Sequence, residues 1–192
     1  MIYQAVDPKE LRIDARELAR RLGMPSAELD DGMAKCLDRL LTAAKPAYAA
    51  THVKINRSNG AITIGGAKSE SKGLDTFCQG CDECIALAAT IGVGVDRLIL
   101  KSATVSAHDA FVIDAMADAL IEALCDYAQD ALREGLTVRG RFSPGYSDLD
   151  LSFGKEILIL TDAERMLGIK LTESGMMVPR KSVNAIIAIK SV

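Results

Sequence analysis

The longest helix the sequence predicts runs from Ser106, a good N-cap, to Arg133, with Gly135 just beyond its end. Whatever this chain folds into must bury one face of that element, and the spacing assigns the face to Val112, Met116, Leu120, Ala123 or Leu124, and Tyr127. The other side carries a row of acids four residues apart: Asp114, Asp118, Glu122, Asp126, Asp130 and Glu134. Like charges at that spacing destabilise a helix by roughly 0.2–0.5 kcal/mol per pair, so the row costs on the order of 1–2.5 kcal/mol unless cations offset it. Each step of four turns about 40° around the helix axis, so the two ends of the row cannot share a face. The row is therefore either solvated or met by cations from elsewhere in the fold.

The remaining elements are shorter and of both kinds. Asp14 to Leu22 reads as a short helix stopped by Gly23, and Ser26 as the N-cap of a second helix reaching about Ala44. Leu29, Met33, Leu37, Leu40 and Ala44 form the inward stripe of that second helix, with Cys36 beside it. The period then changes. Val53, Ile55, Ile62 and Ile64 alternate with polar residues on either side of Asn59-Gly60, the signature of a two-stranded hairpin. The apolar run Cys84 to Ile91 reads as a buried strand, followed by Gly92 and Gly94 and a helix over Val95 to Leu100. Leu136 to Arg141 reads as a strand, Leu149 to Leu167 as an amphipathic helical stretch, and Val183 to Ile189 as a closing strand. Helices and hairpin strands mix without regular alternation, which is the pattern of an α+β fold.

The chain's 192 residues, 49% of them hydrophobic, suit a single domain spanning 1–192 with a sizeable core. Tryptophan is absent and aromatics make up 4%, so that core is expected to be aliphatic. A net charge of −3 with interspersed signs gives no basic stripe and argues against a nucleic-acid partner. No apolar run of about 18 residues occurs and the first residues lack a basic and an apolar leader region, so a cytoplasmic protein without a membrane partner is expected.

The chemistry concentrates in the last third. In Arg141-Phe142-Ser143-Pro144-Gly145-Tyr146 the Pro-Gly pair calls for a tight turn in which glycine supplies the positive φ, and such turns leave N–H groups free to point at a ligand. The arginine adds a fork for a carboxylate and the tyrosine a flat amphipathic ring. A second motif follows in Gly168, Lys170, Leu171, Thr172, Glu173, Ser174, Met177, Pro179, Ser182 and Val183. Together and in this order the two motifs resemble the S-adenosylmethionine-binding activation domain of cobalamin-dependent methionine synthase, the match covering roughly residues 110–185.

That resemblance implies a twisted, mainly antiparallel sheet with a long central helix and flanking helices. It implies a site for S-adenosylmethionine made by Glu122, Arg141, Ser143, Gly145 and Tyr146, with Thr172, Glu173, Ser174 and Met177 as a ligand or docking segment. Arg141 suits the ligand's carboxylate, and Glu122 its ammonium or the surroundings of its sulfonium. In the family, cobalamin oxidised to the inactive Co(II) state is reduced by one electron and methylated by the S-adenosylmethionine this domain holds. Folate, homocysteine and cobalamin modules have no counterpart in these residues. The implied partner is thus a corrinoid-binding methyltransferase on a separate chain, with a flavodoxin-like or ferredoxin-like electron donor, and the chain resembles a detached activation subunit rather than a complete enzyme. The chain also departs from the family pattern. Phe142 and Ser143 stand where it has Pro-Ala, only Glu134 to Gly140 separate the long helix from the arginine turn, and Asn184 to Ile189 lack the family's aromatic residues.

Two other classes stay open. Cys78, Cys81 and Cys84 have a spacing used in iron–sulfur sites, with Cys36 or Cys125 as a fourth thiolate, which would make an electron carrier or thiol redox protein that activates a corrinoid enzyme. Against this, Cys36 and Cys125 fall in predicted helices and Cys84 opens a buried strand. The third class is an interaction module that keeps the fold without the ligand. With only His52 and His108, and Ser174 outside a nucleophile elbow, hydrolytic chemistry has little material, and Gly92-Val93-Gly94 lacks the remainder of a dinucleotide fingerprint.

Overall fold

The computed structural model describes residues 1–24, 28–58, 60–133 and 135–190. In chain order they form β1 (Ile2–Ala5), a single helical turn at Pro8–Glu10, α1 (Ala15–Leu22), α2 (Asp31–Ala43), β2 (Ala47–Ser58), β3 (Ala61–Ile64), β4 (Ala67–Ser69) and α3 (Lys72–Phe77). There follow β5 (Glu83–Thr90), α4 (Val93–Ala103), α5 (Ala107–Leu132), β6 (Val138–Phe142), α6 (Phe153–Leu160), α7 (Ala163–Leu167), β7 (Lys170–Leu171), β8 (Met177–Val178) and β9 (Ser182–Ile189).

The caps predicted for the helices are largely those observed. Asp14 accepts from the N–H groups of Arg16 and Glu17 at the start of α1, and Gly23 closes it in the left-handed conformation with φ +67°. Ser106 caps α5 by accepting from Asp109 N–H. Ser26 itself lies outside the described residues, but the second helix starts later than expected: α2 is capped by Asp30, which accepts from Met33 N–H, so Leu29, expected in its inward stripe, precedes the helix and packs on the core from there. The expected helix over Leu149 to Leu167 is two helices instead. At its middle Thr161 turns its hydroxyl back onto the carbonyls of Ile157 and Leu158, and Asp162 adopts φ +49°, so the helical ladder stops and restarts.

Among the described residues the main sheet has the order β4-β3-β2-β5-β9-β6, with β1 beside β2, and its pairings are all antiparallel. The predicted hairpin is present, with Ile55 opposite Ile64, Ser58 opposite Ala61 and Gly60 at φ +77°; Asn59 lies outside the described residues. β2 begins well before the hairpin, in the alanine-rich stretch Ala47, Tyr48, Ala49 and Ala50. The buried run Cys84 to Ile91 is β5, at the centre of the sheet between β2 and β9.

Alternation of side chains divides the core by the two faces of the sheet. Ile85, Leu87, Ala89, Ile187 and Ile189 point to one face, where α1, α2, α4 and α5 pack. Cys84, Ala86, Ile186 and Ala188 point to the other, against Leu74 of α3 and Phe153 and Ile157 of α6. α5 lies on the first face with Val112, Met116, Leu120, Ala123 and Leu124 buried as its spacing predicts, and Ala110, Ile113, Ala117, Ala128 and Leu132 buried besides, because helices flank it on both sides. Tyr127 is half-buried rather than buried, and its hydroxyl accepts from Gln4, which in turn accepts from Tyr48. That relay ties β1, β2 and α5 together.

The glycine pair after β5 has a packing reason. α4 starts at Val93, two residues earlier than predicted, and a Cβ on Gly94 would sit 2.4 Å from the carbonyl oxygen of Ala43. Glycine there lets α4 abut the end of α2. No helix among the described residues is long and apolar enough to cross a membrane.

Leu120 is fully buried where α5 meets the sheet. Leu120→Ala should lower the unfolding free energy by about 2–5 kcal/mol, read as a shift of the urea midpoint at unchanged slope.

Candidate ligand-binding site

The site begins with an irregularity in β6. Val138 pairs with Ile189 and Arg141 with Ile187, so one extra residue is accommodated between them, a β-bulge at Arg139–Gly140. Without the bulge, residues 139 and 141 would share a face. With it, Arg139 turns to the α3 face, where it donates to the carbonyls of Phe77 and Gln79, while Arg141 turns to α5.

There Arg141 meets the acidic row. Its Nη1 lies 2.7 Å from Asp126 Oδ1 and its Nη2 3.1 Å from Glu122 Oε2. Burial works against the guanidinium charge, but the hydrogen bond it donates to Asp126 and the charges nearby hold its pKa above the ordinary value. One turn earlier Lys181, only 8% exposed, lies 2.6 Å from Asp118 and 2.9 Å from Asp114 Oδ1. Asp114 Oδ1 has no directed hydrogen bond, so that contact is ionic, while Lys181 Nζ donates to the Asp114 carbonyl at 3.3 Å. Farther along, Arg133 lies 3.4 Å from Asp130. The five described acids of the row are thus met by cations, two of them brought from β6 and from the residue preceding β9; Glu134 lies outside the described residues.

Glu122, Arg141, Ser143 and Tyr146 line one cavity of about 380 Å³ with Asp126, Gln129, Gly140 and Val183. Four of the five residues expected to bind S-adenosylmethionine therefore share a concave surface. The fifth, Gly145, does not line it: it forms the turn. Tyr146 N–H donates to Ser143 O across Pro144 and Gly145, and Gly145 has φ +88°, as a turn of this type requires. The expectation of free amides fails here. Gly145 N–H donates to Leu149 O and Tyr146 N–H to Ser143 O, so neither is available to a ligand. The loop completes its own hydrogen bonds, and the side chains present the chemistry.

The second motif is split. Thr172, Glu173 and Ser174 form the exposed tip of the β7–β8 ribbon, where the hydroxyls of Thr172 and Ser174 bond to each other and Thr172 Oγ1 accepts from Met176 N–H. Met177 turns inward and lines a slot of about 170 Å³ with Ser143, Pro144, Leu151 and Asn184. Ser143 and Val183 border both this slot and the Arg141 cavity, so the two form adjoining parts of one groove. A larger cavity, about 570 Å³, lies between α6, α7 and β7, but it contains none of Glu122, Arg141, Ser143, Gly145 or Tyr146. Sequence reasoning missed Asp126 as the second carboxylate on Arg141 and Lys181 as a buried cation. The four-residue spacing from Glu122 was the signal for the first; nothing local marks the second.

Cys78, Cys81 and Cys84 are free and fully buried in the apolar layer between the sheet and α3. Among the described residues no group of three His, Cys, Asp or Glu side chains is placed to hold a metal ion. Burial pushes the Cys78 thiol up to about 12, and Cys84 further still. Cys36 lies in α2 and Cys125 in α5, the latter also pushed up to about 12 by burial. All five are buried, and burial raises the thiols of Cys36, Cys78, Cys84 and Cys125 above the ordinary value, the opposite of the shift that makes a reactive thiolate.

No family model and no curated protein matches this chain. Among solved structures it is similar to the crystal structure of the MetH reactivation domain bound to AdoHcy, with a TM-score of 0.74 and 20% identity over 97% of this chain and 77% of that one. At that identity the likeness is one of fold. The α+β architecture, an antiparallel sheet with helices on its faces, is the fold of that reactivation domain. The likeness spans nearly the whole chain, including the first hundred residues, where the two motifs are silent.

Lys181→Met should leave Asp114 without a cation and Asp118 with only Arg21, 3.8 Å away, and destabilise the fold by about 2 kcal/mol, below the roughly 3–5 kcal/mol of a broken, fully buried pair because both carboxylates are partly exposed; chemical denaturation measures it. The thiols give a pH signature. The ordinary thiol value is 9.0 and the folded Cys78 value about 12, so from pH 9 upward the unfolded chain releases a proton that the folded chain keeps. The stability carried by Cys78 is complete below pH 9 and is lost as pH rises towards 12. Between pH 8 and 11 the denaturation midpoint of a Cys78→Ala variant should fall less steeply than that of the unsubstituted protein.

Proposed function

We propose that this chain binds S-adenosylmethionine in the groove between α5 and the Arg141–Tyr146 loop and acts as an activation subunit. In this reading it presents the donor's methyl group to a corrinoid carried by a separate, cytoplasmic methyltransferase chain, which takes its electron from a flavodoxin-like or ferredoxin-like protein. The observation that carries the reading is the gathering of Glu122, Asp126, Arg141, Ser143 and Tyr146 around one cavity, on a fold whose solved example holds AdoHcy.

Charge supports the match. One guanidinium and two carboxylates give this part of the cavity a net charge of about −1, and S-adenosylmethionine, with a carboxylate, an ammonium and a sulfonium, carries about +1. The ligand's carboxylate replaces a protein carboxylate on the Arg141 fork, where two parallel hydrogen bonds are available. Glu122 and Asp126, released from Arg141, then face the ammonium and the sulfonium. Tyr146, 59% exposed and part of the cavity lining, offers its ring to an apolar part of the ligand. Bound S-adenosylmethionine supplies an electrophilic methyl group and leaves as a neutral thioether. The protein's share is to orient that methyl outward and to hold the zwitterion by its charged end.

A second reading is an interaction module of the same fold that holds no ligand. It is favoured by the existing bonds of Arg141, which already satisfy the guanidinium with Asp126 and Glu122.

Isothermal titration of the protein with S-adenosylmethionine separates the two. The first reading expects saturable binding, weakened by about 3 kcal/mol in Arg141→Ala, while the fold survives because Glu122 and Asp126 are exposed enough to be solvated. Absence of binding by the folded, unsubstituted protein would leave the second reading.

A further inference from the structure

The loop that carries Tyr146 is attached to a helix the proposed site does not otherwise involve. α3 lies on the face of the sheet opposite α5. Its N-cap, Ser71, accepts from Leu74 N–H, as such caps do, but the same hydroxyl also donates to Asp148, in the loop after Tyr146. Asp148 further accepts from Lys72 N–H and Gly73 N–H, each at 2.9 Å. One carboxylate from a distant loop thus takes two of the first free amides of α3 and its cap hydroxyl. The bond from Ser71, then those from Gly73 and Lys72, hold that carboxyl down at about 2, so it is ionised throughout the neutral range.

The approach is close enough to exclude a side chain from the helix. A Cβ on Gly73 would lie 2.6 Å from Ser147 Oγ and 2.7 Å from Ser147 Cβ. The far end of α3 is fixed as firmly. Arg57 donates to the carbonyls of Cys78 and Cys81, and Arg139, on the β6 bulge, to those of Phe77 and Gln79. From there a line of rings returns to the groove: Phe77 packs tilted against Phe142 at 5.1 Å, and Phe142 meets Tyr146 edge-on at 6.0 Å. Both ends of α3 therefore bear on Tyr146, one through Asp148 and the other through Phe142.

We infer that Asp148 is a positioning residue for the ligand groove: by bonding to the N-terminus of α3 it sets the place of Tyr146 and of the Ser143–Gly145 turn. The consequence for ligand affinity rests on the function proposed above; the consequence for the Tyr146 ring does not.

The experiment uses the whole chain with labelled tyrosine, the Tyr146 ring signal being assigned by its loss in Tyr146→Phe. Asp148→Ala and Gly73→Ala should each shift that signal towards the value of an unstructured tyrosine in ligand-free protein. Each should also weaken S-adenosylmethionine binding by about tenfold, the order of effect of a lost cap. Asp148→Asn keeps one acceptor oxygen and should fall between Asp148→Ala and the unsubstituted protein on both readings. Ile113→Val, a core change away from the loop, should lower the melting temperature and move neither. If the Asp148→Ala ring signal and affinity match the unsubstituted protein while only stability falls, Asp148 is a plain helix cap and the inference is overturned. If Asp148→Ala does not fold, Gly73→Ala and Asp148→Asn decide by the same two readings. If the unsubstituted protein binds no S-adenosylmethionine, the proposed function fails, and the ring signal alone supports or overturns the role of Asp148.

Discussion

Lys181 and Arg141 approach α5 from neighbouring parts of the sheet and meet four consecutive members of its acidic row, Asp114 with Asp118 and Glu122 with Asp126. Much else follows from this pairing. A helix whose acids repel along its length is held by cations it does not itself supply, and those cations fix where it lies across β6 and β9. The two pairs differ in depth. Lys181 is nearly sealed from solvent and fastens the helix, whereas Arg141 remains 19% exposed at the border of a cavity. The groove lies where the row passes from the sealed pair to the open one, and Val183, two residues after Lys181, forms part of its wall.

Much of this was legible in the sequence. Asp14 and Gly23 bracket α1, Ser106 opens α5, and Asn59-Gly60 marks the turn between β2 and β3, because caps and tight turns are local chemistry. Elements whose stability comes from partners were harder to read. Ala47 to Ala50 carry weak strand preference and become strand only between β1 and β5. α3 spans only Lys72–Phe77 and needs Asp148 and two arginines from other strands at its ends. The break at Thr161 and Asp162 is hidden in a stretch whose apolar spacing continues through it.

The site was legible in kind but not in bonding. Arg141, Glu122, Ser143 and Tyr146 come together as the motifs led one to expect, yet the turn's amides close on the loop itself, and Asp126 shares the guanidinium. Which donors a turn leaves free depends on where the next few residues go, here Leu149 folding back onto Gly145, and no six-residue motif contains that information. The cysteines show the converse. A spacing known from cluster ligands here serves a helix end and a strand start that bury all three thiols against α6 and the sheet.

The bulge at Arg139–Gly140 places a parity rule on β6. Because the strand alternates faces, two arginines separated by one residue would point the same way in a regular strand; the extra residue taken up between Val138 and Arg141 is what sends Arg139 to the carbonyls at the end of α3 and Arg141 to the acids of α5. Deleting Gly140 would make the two arginines neighbours in a regular strand and would send them to the same two places. What the segment must keep is therefore the opposition of the two arginines and not the bulge itself, so a shorter, regular strand would be an equivalent solution to the same constraint.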